Sequence, residues 1–278
     1  MRRPLGQHFL RDERVLARIA GALDLQVGDG VVEIGAGEGA LTRHLLAQGA
    51  RVRAVEVDPQ MAPFLESLAH QHPGLELVWA DARRLRWEEV VADPPWKATG
   101  NLPYYAATPI LTSLLEAGHL WERIVAMVQK EVALRMAAPP GSPAYGSLSL
   151  FCQYYARVEM LFTVAPGSFR PPPKVESAVV RLWPRQKTLL GNREDEEKLF
   201  RLVRWSFATR RKTILNALRG GSGLSKADLT AILEKSGVDP QKRAQELTLW
   251  DFVALFSHWP WQGGSSGMIE EEAKGGKG

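Results

Sequence analysis

Val31-Val32-Glu33-Ile34-Gly35-Ala36-Gly37-Glu38-Gly39 is the stretch whose reading decides the fold, an apolar β-type run that empties into a turn of alternating glycines. Leu41 to Leu46 continues at helical spacing, Gly49 stops it, and Val52-Arg53-Ala54-Val55-Glu56-Val57-Asp58 alternates as the next strand. Strand, glycine turn, helix and strand make a βαβ unit. Working outward, Val15 to Leu25 carries apolar residues at helical spacing. Further strands are expected at Leu75-Glu76-Leu77-Val78-Trp79, in the short stretch ending at Asn101, at Arg123-Ile124-Val125-Ala126-Met127-Val128 and at Ser177-Ala178-Val179-Val180-Arg181-Leu182. With helical stretches between them, this alternation predicts an α/β domain on a mostly parallel sheet over residues 1–185.

After Trp183-Pro184-Arg185 the pattern changes. From Arg193 to Trp259 the periodicity is helical, broken at Gly220-Gly221-Ser222-Gly223 and Gly237-Val238-Asp239-Pro240, which predicts a small all-helical domain over 186–262. Residues 263–278 are glycine, serine and charge with almost nothing to bury, and read as a disordered tail. No internal repeat is visible.

Composition sets the class of protein. An apolar fraction of 45% and a charged fraction of 24% are those of a soluble globular chain. No apolar run approaches the roughly 18 residues of a membrane span, and the basic start, Met1-Arg2-Arg3-Pro4-Leu5-Gly6-Gln7, lacks the apolar stretch of a signal peptide. A cytoplasmic protein is expected. The lone Cys152 excludes an intramolecular disulfide and a cysteine-based metal cluster; its apolar setting reads as core, and no metal is expected. A formal charge of +4 permits a polyanionic partner without requiring one. Its distribution says more: Arg201, Arg204, Arg210, Arg211, Lys212 and Arg219 follow one another without an intervening acid, just after Glu194-Asp195-Glu196-Glu197. Matching of charge to the helix dipole accounts for part of that order. Arg210, Arg211 and Lys212 remain as candidates for contact with RNA phosphates.

Glycines between a strand and a helix let backbone N–H groups approach a ligand closely. Glu56 ends the second strand about 20 residues after the first glycine, where an acid accepts both hydroxyls of a ribose. A nucleoside cofactor follows. A pyrophosphate wants Gly-x-Gly-x-x-Gly, whereas this chain has Gly-x-Gly-x-Gly with Glu33 before the turn and Glu38 inside it. Such acids repel phosphate and suit a cationic sulfonium and ammonium. Asp81, in Trp79-Ala80-Asp81-Ala82 after the third strand, is placed to accept from an adenine amine. Together they favour S-adenosylmethionine over a dinucleotide.

Two tetrapeptides could methylate an amine, Asp93-Pro94-Pro95-Trp96 and Asn101-Leu102-Pro103-Tyr104. Each offers a side-chain acceptor and a backbone carbonyl to draw the nitrogen lone pair out of ring conjugation, and an aromatic face to hold a flipped base. The ligand crevice of a doubly wound sheet lies beyond the carboxyl ends of the strands, which selects the turn that follows the fourth strand. Asn101-Leu102-Pro103-Tyr104 qualifies, and a helix with proline near its start follows it from Ala106 to Leu115. Asp93 to Trp96 reads as a rigid proline loop before that strand.

At these residues the chain resembles the KsgA family of small-subunit ribosomal RNA adenine dimethyltransferases. The resemblance runs through Gln7-His8-Phe9-Leu10, Glu33-Ile34-Gly35-Ala36-Gly37, Asn101-Leu102-Pro103-Tyr104, Gln129-Lys130-Glu131-Val132, Tyr145-Gly146, Phe169-Arg170-Pro171-Pro172-Pro173-Lys174-Val175 and Arg210-Arg211-Lys212-Thr213, nearly the whole length. It implies a Rossmann-like methyltransferase domain that transfers two methyl groups to N6 of each of two adjacent adenosines in a stem-loop near the 3′ end of 16S rRNA, within a small-subunit (30S) precursor. It also implies that His8, Leu10, Gly35, Gly37, Glu56, Asp81, Ala82 and Asn101 contact the cofactor, and that Phe169 faces Tyr104 across the base. The family often has asparagine where His8 stands, and Asp93 to Trp96 is outside its pattern. Two other readings share these motifs: a large-subunit (23S) rRNA methyltransferase of the antibiotic-resistance type, and a ribosome-assembly factor that keeps the fold as an RNA-binding scaffold. A monomer is expected.

Overall fold

The computed structural model describes residues 7–261. The chain forms two compact units, the first taking the residues up to Ala137 together with Tyr155–Gln186, the second taking Ala138–Tyr154 and the residues from Lys187 onward. The segment 138–154, which the sequence reading kept with the first domain, thus groups with the helices. The tail read at 263–278 lies outside the described residues.

In the first unit the strands are Phe9–Leu10 (β1), Gly30–Ile34 (β2), Arg51–Glu56 (β3), Leu75–Trp79 (β4), Trp96–Asn101 (β5), Trp121–Gln129 (β6), Ala156–Val164 (β7), Phe169–Arg170 (β8) and Ser177–Pro184 (β9). Its helices are Glu13–Ala22 (α1), Ala40–Ala47 (α2), Ala62–Gln71 (α3), Trp87–Val90 (α4), Ala107–Glu116 (α5) and Lys130–Ala137 (α6). A seven-stranded sheet has the order β4-β3-β2-β5-β6-β9-β7. The run from β4 to β6 is parallel, and β9 and β7 close the sheet antiparallel. β1 and β8 form a separate two-stranded ribbon.

Every residue of β2 is buried, as expected for a central parallel strand with helices on both faces. Gly100 shows how tightly β2 and β5 approach: a Cβ there would stand 2.3 Å from the Ile34 carbonyl oxygen. Asp12 caps α1 by accepting from the Arg14 and Val15 amides. The apolar face of α1, with Leu16 and Ile19, packs into one core with Leu41, Val52, Leu65 and Phe169.

The second unit holds Ser147–Tyr155 (α7, all but its last residue), Arg193–Phe207 (α8), Ile214–Ser222 (α9), Lys226–Lys235 (α10) and Leu249–His258 (α11). Asn192, Ser225 and Thr248 cap three of these, the last in a capping box with Asp251, and Gly223 at φ 73° ends α9. The segment 138–154 is tied in by Tyr145, whose hydroxyl donates to the Leu247 carbonyl at 2.9 Å, and by the Gly141 amide donating to the Gln245 carbonyl at 2.7 Å. Among the described residues no helix is long and apolar enough to cross a membrane.

Candidate active site

The strand order reverses at β2, with β3 on one side and β5 on the other. Connections leave such a switch point in opposite directions, and a crevice opens beyond the carboxyl ends of the strands. The cleft found there is walled by Gly35 to Glu38 after β2, Glu56 and Val57 after β3, Ala80 to Arg83 after β4 and Asn101 to Tyr105 after β5, with Gln7 to Arg11 alongside. The fold therefore brings together His8, Leu10, Gly35, Gly37, Glu56, Asp81, Ala82, Asn101, Leu102, Pro103 and Tyr104.

Gly35, Gly37 and Gly39 have φ of 74°, 56° and 77°, a left-handed path that side chains disfavour. The loop is pinned by the Gly35 amide donating to the Val55 carbonyl at 2.8 Å and the Gly37 amide donating to Glu56 Oε2 at 2.9 Å. Glu56 Oε1 accepts from the Val57 and Asp58 amides, both at 2.8 Å, so the buried carboxylate is held in one orientation at the end of β3. Arg83 grips Asp81 with Nη2 at 2.6 Å from Oδ2 and Nε at 3.0 and 3.1 Å from the two carboxylate oxygens, and these bonds hold the acid below its ordinary range.

Glu33 differs from both. Burial pushes its carboxyl up to about 8, and the nearby Glu56 carboxylate adds to the rise. Its Oε2 is buried without a hydrogen-bond partner, yet Glu33 is part of the cleft wall. A buried carboxyl with an orphaned oxygen, which a cation beside it would draw into its ionised form, together with the Glu56 carboxylate and a glycine cradle, fits a cationic nucleoside.

The Asn101 turn stands at the carboxyl end of β5. Asn101 Nδ2 donates to the His8 carbonyl at 2.9 Å, which leaves Oδ1 as the end of the amide available to a substrate donor. The Leu102 amide donates to the Met127 carbonyl at 3.0 Å and the Ala106 amide to Pro103 at 2.8 Å, fixing the turn on β6. Tyr104 shares a 2.8 Å hydrogen bond with Ser177 Oγ, and its ring centroid lies 5.8 Å from that of His8. The His8 ring is engaged through Nδ1 by the Pro171 carbonyl at 2.8 Å.

Asp93 to Trp96 lies at the other end of β5, which Trp96 opens, and none of the four residues lines the cleft. Phe169 is also absent from the wall: its ring is 1% exposed, within the core, and its strand residue pairs with Leu10. A ring so placed offers no open face to a base, and it reaches the cleft only through that pairing. In the second unit, Arg210, Arg211 and Lys212 are exposed between α8 and α9, with Arg210 Nη2 donating to the Pro143 and Tyr145 carbonyls at 2.9 and 3.3 Å. Several cleft residues go unmarked by the sequence, Arg83 and Tyr105 among them, each two or fewer positions from a residue that the sequence reading selects.

A sheet whose first long strand is central, a left-handed glycine loop, acids at successive strand ends and an asparagine turn define an S-adenosylmethionine-dependent methyltransferase of amines. The family model described as "Ribosomal RNA adenine dimethylase" matches residues 1–259. "Ribosomal RNA small subunit methyltransferase A" of Geobacter metallireducens is 41% identical over 258 residues, 91% of this chain and 94% of the relative. Its counterpart in Myxococcus xanthus is 43% identical over 251 residues, 90% of this chain and 88% of the relative. Among solved structures, a dimethyladenosine transferase from Plasmodium falciparum aligns at TM-score 0.75 and 28% identity, covering 89% of this chain and 96% of the other. The 23S rRNA methyltransferase ErmE aligns at 0.70 and 29%, covering 90% and 98%. The chain belongs to the ribosomal RNA adenine dimethylase family, as its motifs implied, and is an S-adenosylmethionine-dependent rRNA adenine N6-dimethyltransferase.

Proposed function

We propose that this enzyme dimethylates N6 of each of two adjacent adenosines in a stem-loop near the 3′ end of 16S rRNA, acting as a metal-independent monomer on small-subunit (30S) precursors in the cytoplasm. The names of its relatives support the choice of subunit. The observation that carries the chemistry is the Asn101 carboxamide, whose nitrogen is committed to the His8 carbonyl, which leaves Oδ1 as the acceptor for a substrate amine.

Bound in the cleft, S-adenosylmethionine supplies an electrophilic methyl group on a sulfonium. Gly35 and Gly37 would give it backbone approach, Glu56 would hold its ribose hydroxyls, Asp81 its adenine amine and Glu33 its cationic end, with His8, Leu10 and Ala82 in the same wall. The target adenine leaves its stack and rests on Tyr104, stacking being worth ~1–3 kcal/mol per base. Asn101 Oδ1 and the Leu102 carbonyl accept the two amine hydrogens, which turns the nitrogen lone pair out of conjugation. No basic carboxylate is needed, because a methylated aryl ammonium loses its proton readily. An amide acceptor leaves space for the first methyl during the second transfer. Phe169 acts from behind, holding Leu10 and the His8 carbonyl in place through β1. In the second unit, Arg210, Arg211 and Lys212 provide the charge for RNA phosphates.

Asn101→Ala tests the assignment: transfer to rRNA should be lost with cofactor binding retained. Retained turnover would sink it, and a silent Asp93→Ala beside an active Asn101→Ala would place the chemistry in the other turn.

A further inference from the structure

A second aromatic ring stands at the cleft and the chemistry above leaves it unused. Tyr105 directly follows Tyr104, yet the two rings leave the turn for different neighbours. Tyr104 turns to His8 and Ser177. Tyr105 is 53% exposed and lies under Arg83, whose guanidinium carbon is 5.6 Å from the ring centroid. Arg83 is itself not a loose surface cation. Its bonds to Asp81 fix the plane of the guanidinium, and the Arg83 amide adds a fourth bond to Asp81 Oδ1 at 3.0 Å. An oriented guanidinium and the half-exposed phenol ring beneath it are thereby presented together in the wall of the cleft.

Flipping one nucleotide strips its neighbour of a stacking partner as well, which costs free energy. A protein surface that restacks the neighbour offsets that cost, and aromatic rings beside arginine do so for any base. We propose that Tyr105 and Arg83 form a second stacking platform, which takes the nucleobase adjoining the one held on Tyr104. The pair thus positions the RNA strand on either side of the catalytic turn. Because Asp81 neutralises Arg83, the platform contributes stacking more than phosphate attraction, so its effect is insensitive to salt, unlike that of exposed cations. The inference rests on the reading that the Asn101 turn methylates an adenine of rRNA.

The test uses the full chain with unmethylated ribosomal subunits and labelled S-adenosylmethionine, comparing wild type, Tyr105→Ala and Tyr105→Phe. The platform predicts that Tyr105→Ala raises KM for the subunit roughly 5- to 150-fold, equally at low and high salt, with cofactor Kd and Tm unchanged. Tyr105→Phe, which keeps the ring, should restore wild-type KM. Unchanged KM in Tyr105→Ala, or a loss of cofactor affinity as large as the rise in KM, would overturn the platform while leaving the catalytic reading intact. A wild-type enzyme that transfers no label to either subunit would overturn both.

Discussion

The Glu33 carboxyl gives the sharpest quantitative prediction. Held protonated by burial up to about 8, against an ordinary 4.5, it keeps its proton in the folded chain at pH values where the unfolded chain has lost it. The folded state then binds the extra proton between those two values, so stability falls as pH rises through that window and levels off above it. At about 1.4 kcal/mol per pH unit, the interval is worth on the order of 5 kcal/mol. Glu33→Gln keeps the shape and removes the titration. The difference in unfolding free energy between wild type and variant should therefore drift against the wild type by that amount from about pH 4.5 to about pH 8, as read by chemical denaturation across the range. A cationic ligand beside the orphaned Oε2 favours the ionised form, so cofactor binding at pH 7 should release close to one proton from wild type and none from Glu33→Gln. Calorimetric titration in two buffers of different ionisation enthalpy measures that release. Parallel pH–stability profiles for the two proteins would refute the reasoning by showing Glu33 already ionised in the free cleft, and binding without proton release would refute its coupling to a cationic ligand.

Other perturbations probe separate parts of the account. Neutralising Arg211 and Lys212 should weaken rRNA binding and flatten its dependence on salt, with about one unit of the log–log slope lost per phosphate contact; an unchanged slope would mean a solvated loop. Gly100→Ala should destabilise the protein by about 3 kcal/mol in denaturant unfolding, because the added Cβ meets a backbone carbonyl at 2.3 Å that cannot move without parting β2 from β5.

Much of the architecture was legible because its determinants are local. Val31-Val32-Glu33-Ile34 announces a strand as a mostly apolar run and Val52 to Glu56 by alternation, and the glycines between them announce the left-handed loop. β7 was concealed. Its Arg157 and Glu159 place charges along one face of an edge strand, and a register shift between Met160 and Phe162 breaks the alternation that a strand would show. β1 and β8 are two residues each and exist only through each other, a pairing no window of sequence contains. At the site, the strand-end positions of Glu56, Asp81 and Asn101 were legible and the fold brings the three to one cleft, whereas their environment was not. Nothing in the identity of Glu33 tells that an oxygen is left unpartnered, and nothing in Phe169-Arg170-Pro171-Pro172 tells that the phenyl ring faces inward. Arg210 likewise reads as a free cation until its bonds to the Pro143 and Tyr145 carbonyls are seen, which depend on a segment more than sixty residues away.

The most direct measurement of the central claim is labelled methyl transfer from S-adenosylmethionine to unmethylated small and large ribosomal subunits, followed by mapping of the modified nucleotides. The account predicts label in small-subunit RNA alone, as N6,N6-dimethyladenosine at two neighbouring positions near the 3′ end. Label confined to the large subunit would contradict it.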